Sequence, residues 1–219
     1  MERATSLPRR ILLVDDHPIV RQGLAELVRR RTEHKICGEA SDPASALDWV
    51  RRTSPDLVIV DISLGNSSGL DLLKQLGVEF PEVKTLVVSM RDEHLYGERA
   101  IAAGARGYVM KDQAAEHIGA AIDQVLAGRM YTSAALTERL LQRVTGRSQA
   151  PASPLECLSD RELQVFECIG HGSSTREIAA SLHLSVKTIE GYRANIKEKL
   201  GLATGTELVQ RAVLWVEAS

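Results

Sequence analysis

The chain has 219 residues, 44% of them hydrophobic, and carries 27 lysines and arginines against 29 aspartates and glutamates, for a net charge of −2. That length suits two domains better than one, and that apolar fraction excludes a chain that is disordered throughout. No run of about 20 apolar residues could span a bilayer. The opening MERATSLPRR lacks the apolar stretch of a signal peptide, so a cytoplasmic protein is expected.

From the N-terminus, short apolar runs at 11–14, 36–40, 57–60, 86–88 and 107–110 alternate with segments of helical period, such as Ile19, Leu24, Leu27 and Val28. Five such runs, nearly all apolar, predict a parallel sheet buried on both faces by helices. Residues 131–144 (YTSAALTERLLQRV) read as a helix, and the following TGRSQAPASP has the composition of a linker. Beyond Leu158 only helical patterns remain, four of them. Ser159 with Glu162, Ser174 with Glu177 and Thr204 with Glu207 predict capping boxes, and Ser185 predicts a further N-cap. The expected domains are 9–128, a linker with a helical part at 129–155, and 156–219. Cys37, Cys157 and Cys168 are too few and too irregular for a disulfide framework and are expected to be buried free thiols.

The polar residues at the strand ends are the first functional signal. Asp15 and Asp16 follow the first strand, Asp61 the third, Ser89 ends the fourth and Lys111 follows the fifth. In an open α/β sheet the carboxyl edge is where ligands bind. Three carboxylates converging there repel one another unless a cation sits among them, and all-oxygen ligation suits Mg²⁺. A lysine opposite can pair with a carboxylate or with a phosphoryl group.

The pieces LLVDDH, DLVIVD, VVSM and GYVMKD, over about residues 9–128, resemble the receiver domain of response regulators. The resemblance implies a flavodoxin-like, doubly wound sheet of order 2-1-3-4-5. It also implies Asp61 as phosphoacceptor, and Mg²⁺ held by Asp15, Asp16, Asp61 and the backbone carbonyl of Ser63. Ser89 would bind the phosphoryl group, Tyr108 would be a switch aromatic and Lys111 the phosphoryl partner. The phosphate donor would be a sensor histidine kinase. The loop after the acceptor departs from the family, reading Leu64–Gly65 in place of Met-Pro, and a more mobile loop is expected from the glycine. No GxxxxGK[ST] loop offers an ATP site. A phosphatase of the haloacid-dehalogenase type would need an aspartate two residues after its nucleophile, where this chain has Ser63. The chain is therefore expected not to be an enzyme.

The second half resembles the LuxR/NarL-type helix-turn-helix through LSDRE, GSSTREIA, LSVKTIE and IKEKLGL, over about residues 156–216. The combination implies a NarL/FixJ-type transcription regulator that dimerises on double-stranded DNA when phosphorylated. Helical period supports a recognition helix at 186–200: Ile189, Ile196 and Leu200 share one side, while Lys187, Gly191, Ala194 and Glu198 share the other. A small or polar outer face suits entry into a major groove. The candidate DNA contacts are Ser174, Thr175, Arg176, Lys187, Thr188, Glu190, Gly191, Arg193, Ala194 and Lys197. Glu190 departs from the family by placing an acid there, and Tyr192 stands where histidine is frequent. Residues 151–219 hold seven basic against nine acidic side chains, which leaves open a protein–protein switch that no longer binds DNA.

Overall fold

The computed structural model describes residues 8–65, 67–145 and 153–218. Two compact units divide between Leu141 and Gln142. The first holds five parallel strands, β1 (Arg10–Val14), β2 (Lys35–Ala40), β3 (Leu57–Val60), β4 (Lys84–Ser89) and β5 (Tyr108–Met110), in the order 2-1-3-4-5. β3 is pure Leu, Val and Ile and β1 nearly so, and residues 86–88 of β4 continue the pattern, because helices cover both faces. β2 lies at one edge and reads KICGEA, with only Ala40 fully buried.

The helices are α1 (Pro18–Arg31), α2 (Pro43–Thr53), α3 (Gly69–Glu79), α4 (Glu93–Ala102) and α5 (Ala114–Leu126). Proline at the first helical position starts α1 and α2, where a missing N–H costs nothing. Leu24 and Val28 of α1 and Ile118, Ile122 and Val125 of α5 form one core with Ile11, Leu13, Ile59, Leu86, Val88 and Val109. Strand alternation sends Leu12, Val58, Val87 and Tyr108 to the opposite face. Each fully buried aliphatic side chain contributes about 1.5–3 kcal/mol before entropy, which offsets the polar edge this sheet carries.

Residues 131–133 are not helical as expected. Tyr131 bridges Gly107 in parallel fashion, accepting from the Tyr108 N–H (2.9 Å) and donating to the Arg106 carbonyl (3.0 Å). The helix α6 begins only at Ala134 and runs to Val144. Its first part is packed, since Leu136 is 2% exposed and the first unit extends through Leu141. Arg139 Nε donates to Glu98 Oε1 of α4 (2.8 Å) and Nη1 to the His94 carbonyl (2.6 Å). Gly97 permits this docking, because a Cβ there would lie 2.8 Å from Leu136 Cδ2. The linker expected at 145–154 falls mostly outside the described residues.

The second unit consists of a short 3₁₀ turn (Pro154–Cys157) and helices α7 (Asp160–Gly170), α8 (Thr175–Ser181), α9 (Val186–Leu200) and α10 (Gly205–Ala218). Both halves of the capping box are present at α7 and α8. At α10 the Glu207 N–H donates to Thr204 Oγ1 as expected, but the Glu207 carboxylate accepts from the Ala203 N–H and the Thr204 hydroxyl, not from the Thr204 N–H that would close the box. Phe166, Val165, Ile178, Ile189, Ile196, Leu208 and Ala212 are fully buried. The cysteines are free but not buried as expected: Cys157 is exposed, Cys37 and Cys168 half-buried.

Candidate functional site: an acidic strand-edge pocket and a helix-turn-helix

Strand register builds the first site. Val14 pairs with Val60 and Val60 with Val87, so the next residues, Asp15 and Asp61, emerge side by side at the carboxyl edge. Ser89 pairs with Met110, which puts Lys111 one step past that edge. Lys111 Nζ lies 2.6 Å from Asp15 Oδ2 and 2.7 Å from Asp61 Oδ2. Ser89 Oγ donates to Asp61 Oδ1 at 2.5 Å. Asp15, Asp61 and Ser89 are buried, and only a tenth of the Lys111 side chain is exposed.

Burial pulls the Lys111 ammonium toward neutrality, but its bonds to Asp15 and Asp61 outweigh burial and raise it above its ordinary value. It stays charged. The Tyr108 hydroxyl is pushed up by burial and by the charges of Asp61, Glu93 and Asp92, so it stays a donor, giving its proton to the Arg91 carbonyl (2.6 Å). The ring, 1% exposed, is already turned inward here.

Of the expected cation ligands, Asp15 and Asp16 lie together and Asp15 and Asp61 share Lys111, while Ser63 follows in a small hairpin, Ser63–Leu64 with Ser67–Ser68. The Ser63 hydroxyl accepts from Arg91 Nε (2.8 Å). Gly65 at the hairpin tip has φ +58°, which proline cannot adopt, so Met-Pro would not fit this loop. Asp15 Oδ2 and Asp16 Oδ1 are buried without a well-aligned hydrogen bond, although Lys111 Nζ and His17 Nδ1 lie 2.6 and 2.8 Å away. Carboxylate oxygens gathered at one strand edge are the ligand type that suits a divalent cation. Sequence reasoning did not single out His17 or Arg91. Their neighbours in the strand-end motifs were the only signal, because side-chain direction decides their place.

In the second unit Ile189 and Ile196 of α9 are buried, while Lys187, Thr188, Glu190, Gly191 and Ala194 are exposed and Arg193 and Lys197 half-buried. A Cβ at Gly191 would meet nothing within 4 Å, so the outer face is open as well as small. Arg176 is exposed and Thr175 half-buried; the Ser174 hydroxyl is engaged by the Glu177 N–H (3.3 Å). Thr188 Oγ1 likewise pairs with Ser185 Oγ (2.7 Å). Asn195 is exposed beside Ala194 and was not among the expected contacts.

Residues 11–123 match the response regulator receiver domain, and residues 156–212 match the bacterial regulatory proteins of the luxR family. The oxygen regulatory protein NreC of Staphylococcus aureus is 32% identical over 209 residues, covering 93% of this chain and 96% of NreC. The chain belongs to the two-component response regulators with a LuxR-type helix-turn-helix. These response regulators are DNA-binding transcription regulators, not enzymes. A LuxR-family response regulator from Aurantimonas sp. SI85-9A1 has a solved structure at 32% identity (TM-score 0.58, 64% of this chain and 99% of that one). RcsB of Salmonella typhimurium shares the fold at 22% identity (TM-score 0.74, 95% of this chain and 98% of that one). Among the described residues no helix of this response regulator is long and apolar enough to cross a membrane.

Proposed function

We propose that phosphorylation of Asp61 in a receiver domain at 9–128 switches DNA binding by a helix-turn-helix domain at 156–219, through a connecting segment at 129–155. The observation that carries this reading is the buried Asp61 carboxylate, held by Ser89 on one oxygen and Lys111 on the other. An Asp61 oxygen attacks the phosphorus of a donor, the phosphohistidine of a sensor kinase. The bond to the donor nitrogen breaks and the imidazole leaves. Lys111 balances charge on the transferred group, and the Ser89 hydroxyl turns to donate to one of its oxygens. Asp15, Asp16, Asp61 and the Ser63 carbonyl would hold Mg²⁺, which when bound neutralises phosphoryl charge.

On the output side Lys187 and Glu190 would read bases, with Thr188, Gly191 and Ala194 allowing close approach. Ser174, Thr175, Arg176, Arg193 and Lys197 would hold phosphates. RcsB has been solved bound to promoter DNA in the presence of the phosphomimetic BeF3−, and as dimers on DNA, which supports a phosphorylation-promoted homodimer here too. The cytoplasm is the compartment this requires. Incubation with acetyl phosphate and Mg²⁺ is expected to add one phosphate by intact-protein mass spectrometry, and none to Asp61→Ala or with EDTA. Equal labelling of the variant would overturn the assignment.

A further inference from the structure

We propose that residues 131–141 form a strap across β5 and α4 that docks more tightly when Asp61 carries a phosphoryl group; this rests on the phosphorylation reading above. The strap begins as backbone. Tyr131 pairs with the free edge of β5 on both sides of Gly107, and a Cβ at Gly107 would lie 2.7 Å from the Tyr131 carbonyl oxygen, so the approach needs that glycine. Ser133 then caps α6 by accepting from the Leu136 N–H (3.0 Å) and donates its own proton to Glu93 Oε2 of α4 (2.5 Å). Leu136 over Gly97, and Arg139 on Glu98 and the His94 carbonyl, complete the dock. Glu93, Gly97 and their neighbours His94 and Glu98 lie on one face of α4, since positions four apart stack along a helix.

The simpler account is a terminal helix packed for stability alone. Against it, Leu136 is the one buried residue of α6 among those described, and the rest of the dock is polar bonds, which weaken steeply when misaligned. A helix held in this way opens locally with little loss, so a modest bias shifts it. Both of its anchors are tied to Asp61. Tyr108 gives its N–H to the Tyr131 carbonyl and its hydroxyl proton to the Arg91 carbonyl, next to Asp92, the N-cap of α4. The Arg91 N–H reaches Ser89 Oγ, and Ser89 donates to Asp61. The docked strap therefore goes with Ser89 drawn to Asp61 and the Tyr108 ring buried. A phosphoryl oxygen on Asp61 gives Ser89 a strong charged acceptor on that same side and holds this arrangement. Undocked, residues 131–141 would lengthen the tether to the second unit; docked, they are withdrawn from it. A shorter tether raises the effective concentration of a second output domain once the first is bound to paired half-sites.

The test is hydrogen exchange followed by mass spectrometry on the full chain in Mg²⁺, with and without beryllofluoride. Peptides over 61–65 report whether the pocket has taken the mimic, and peptides over 131–141 report the strap. In the wild type both should slow, the strap severalfold. Tyr108→Phe keeps the ring but loses the hydroxyl bond ahead of α4; it should slow at 61–65 and lose most of the change at 131–141. Arg139→Ala should also take the mimic, yet gain severalfold less duplex affinity from it than the wild type. Wild-type exchange at 131–141 that is unchanged or faster while 61–65 slows overturns the strap and leaves phosphorylation of Asp61 standing. A full change at 131–141 in Tyr108→Phe, or a full gain of affinity in Arg139→Ala, overturns the coupling. No change at either segment of the wild type overturns both readings.

Discussion

Ser89 spends its hydroxyl proton on Asp61, and Tyr108 spends its own on the Arg91 carbonyl two residues past Ser89. The Arg91 N–H also reaches Ser89 Oγ at 3.3 Å, so the acceptor, the strand end and the aromatic are joined by hydrogen bonds. Ser89→Ala should therefore still accept phosphate at Asp61 but lose the gain in DNA binding that phosphorylation brings, measured by fluorescence anisotropy on labelled duplex. A full gain in the variant would rule out this coupling. Gly65 makes a second case at this scale. Its positive φ costs an ordinary residue about 1–2 kcal/mol, so Gly65→Ala should lower stability by about that much in urea unfolding. Gly65→Pro, which writes the family's usual residue back, should cost more, because the ring fixes φ near −65°. The strand-end residues of this pocket were legible in the sequence, since each follows an apolar run. His17 and Arg91 were not, because only folded side-chain directions bring them to Asp16 and Ser63.

At the scale of elements, the sheet was readable from runs such as LVIV, whose two buried faces leave no polar position. The extended stretch at 131–133 is not legible in the sequence because its pairing with Gly107 and Tyr108 is non-local, while the helical period of Ala134–Val144 extends back over it. The docking of α6 on α4 was invisible for the same reason. It rests on Arg139 meeting Glu98, which is 8% exposed, and on Leu136 filling the space over Gly97. Arg139→Ala should remove hydrogen bonds to a mostly buried carboxylate and to a carbonyl, at a cost of about 1–3 kcal/mol. Hydrogen exchange should rise in α6 and leave β1, β3 and β4 protected. Unchanged protection in α6 would mean that Arg139 does not hold it.

At the scale of the molecule, charge is placed to serve two units differently. In the second unit Glu162 closes the α7 capping box and accepts from Lys199 of α9 (2.7 Å), tying the outer helix to its support. Burial works against its charge, yet the bonds from Lys199 and Ser159 outweigh burial and hold the carboxyl below its ordinary 4.5. Folding thus gains stability from this group above that value and loses it as the pH falls through the depressed one. Glu162→Gln should flatten the acid limb of unfolding followed by Trp215 fluorescence in a Trp49→Phe background. A limb of unchanged steepness would contradict the assignment.

The wider account is that phosphate on Asp61 favours one arrangement of the whole chain over another, and phosphate can do so only if it binds that arrangement better. One short recognition helix contacts few base pairs, so paired half-sites and a two-fold dimer should accompany activation. The most direct measurement is sedimentation velocity and duplex affinity of the full chain with and without beryllofluoride, beside the Asp61→Ala variant. The account predicts that beryllofluoride shifts the wild type to a dimer and tightens its binding to DNA, with neither change in the variant. An unchanged mass and affinity in the wild type, or the same changes in Asp61→Ala, would contradict it.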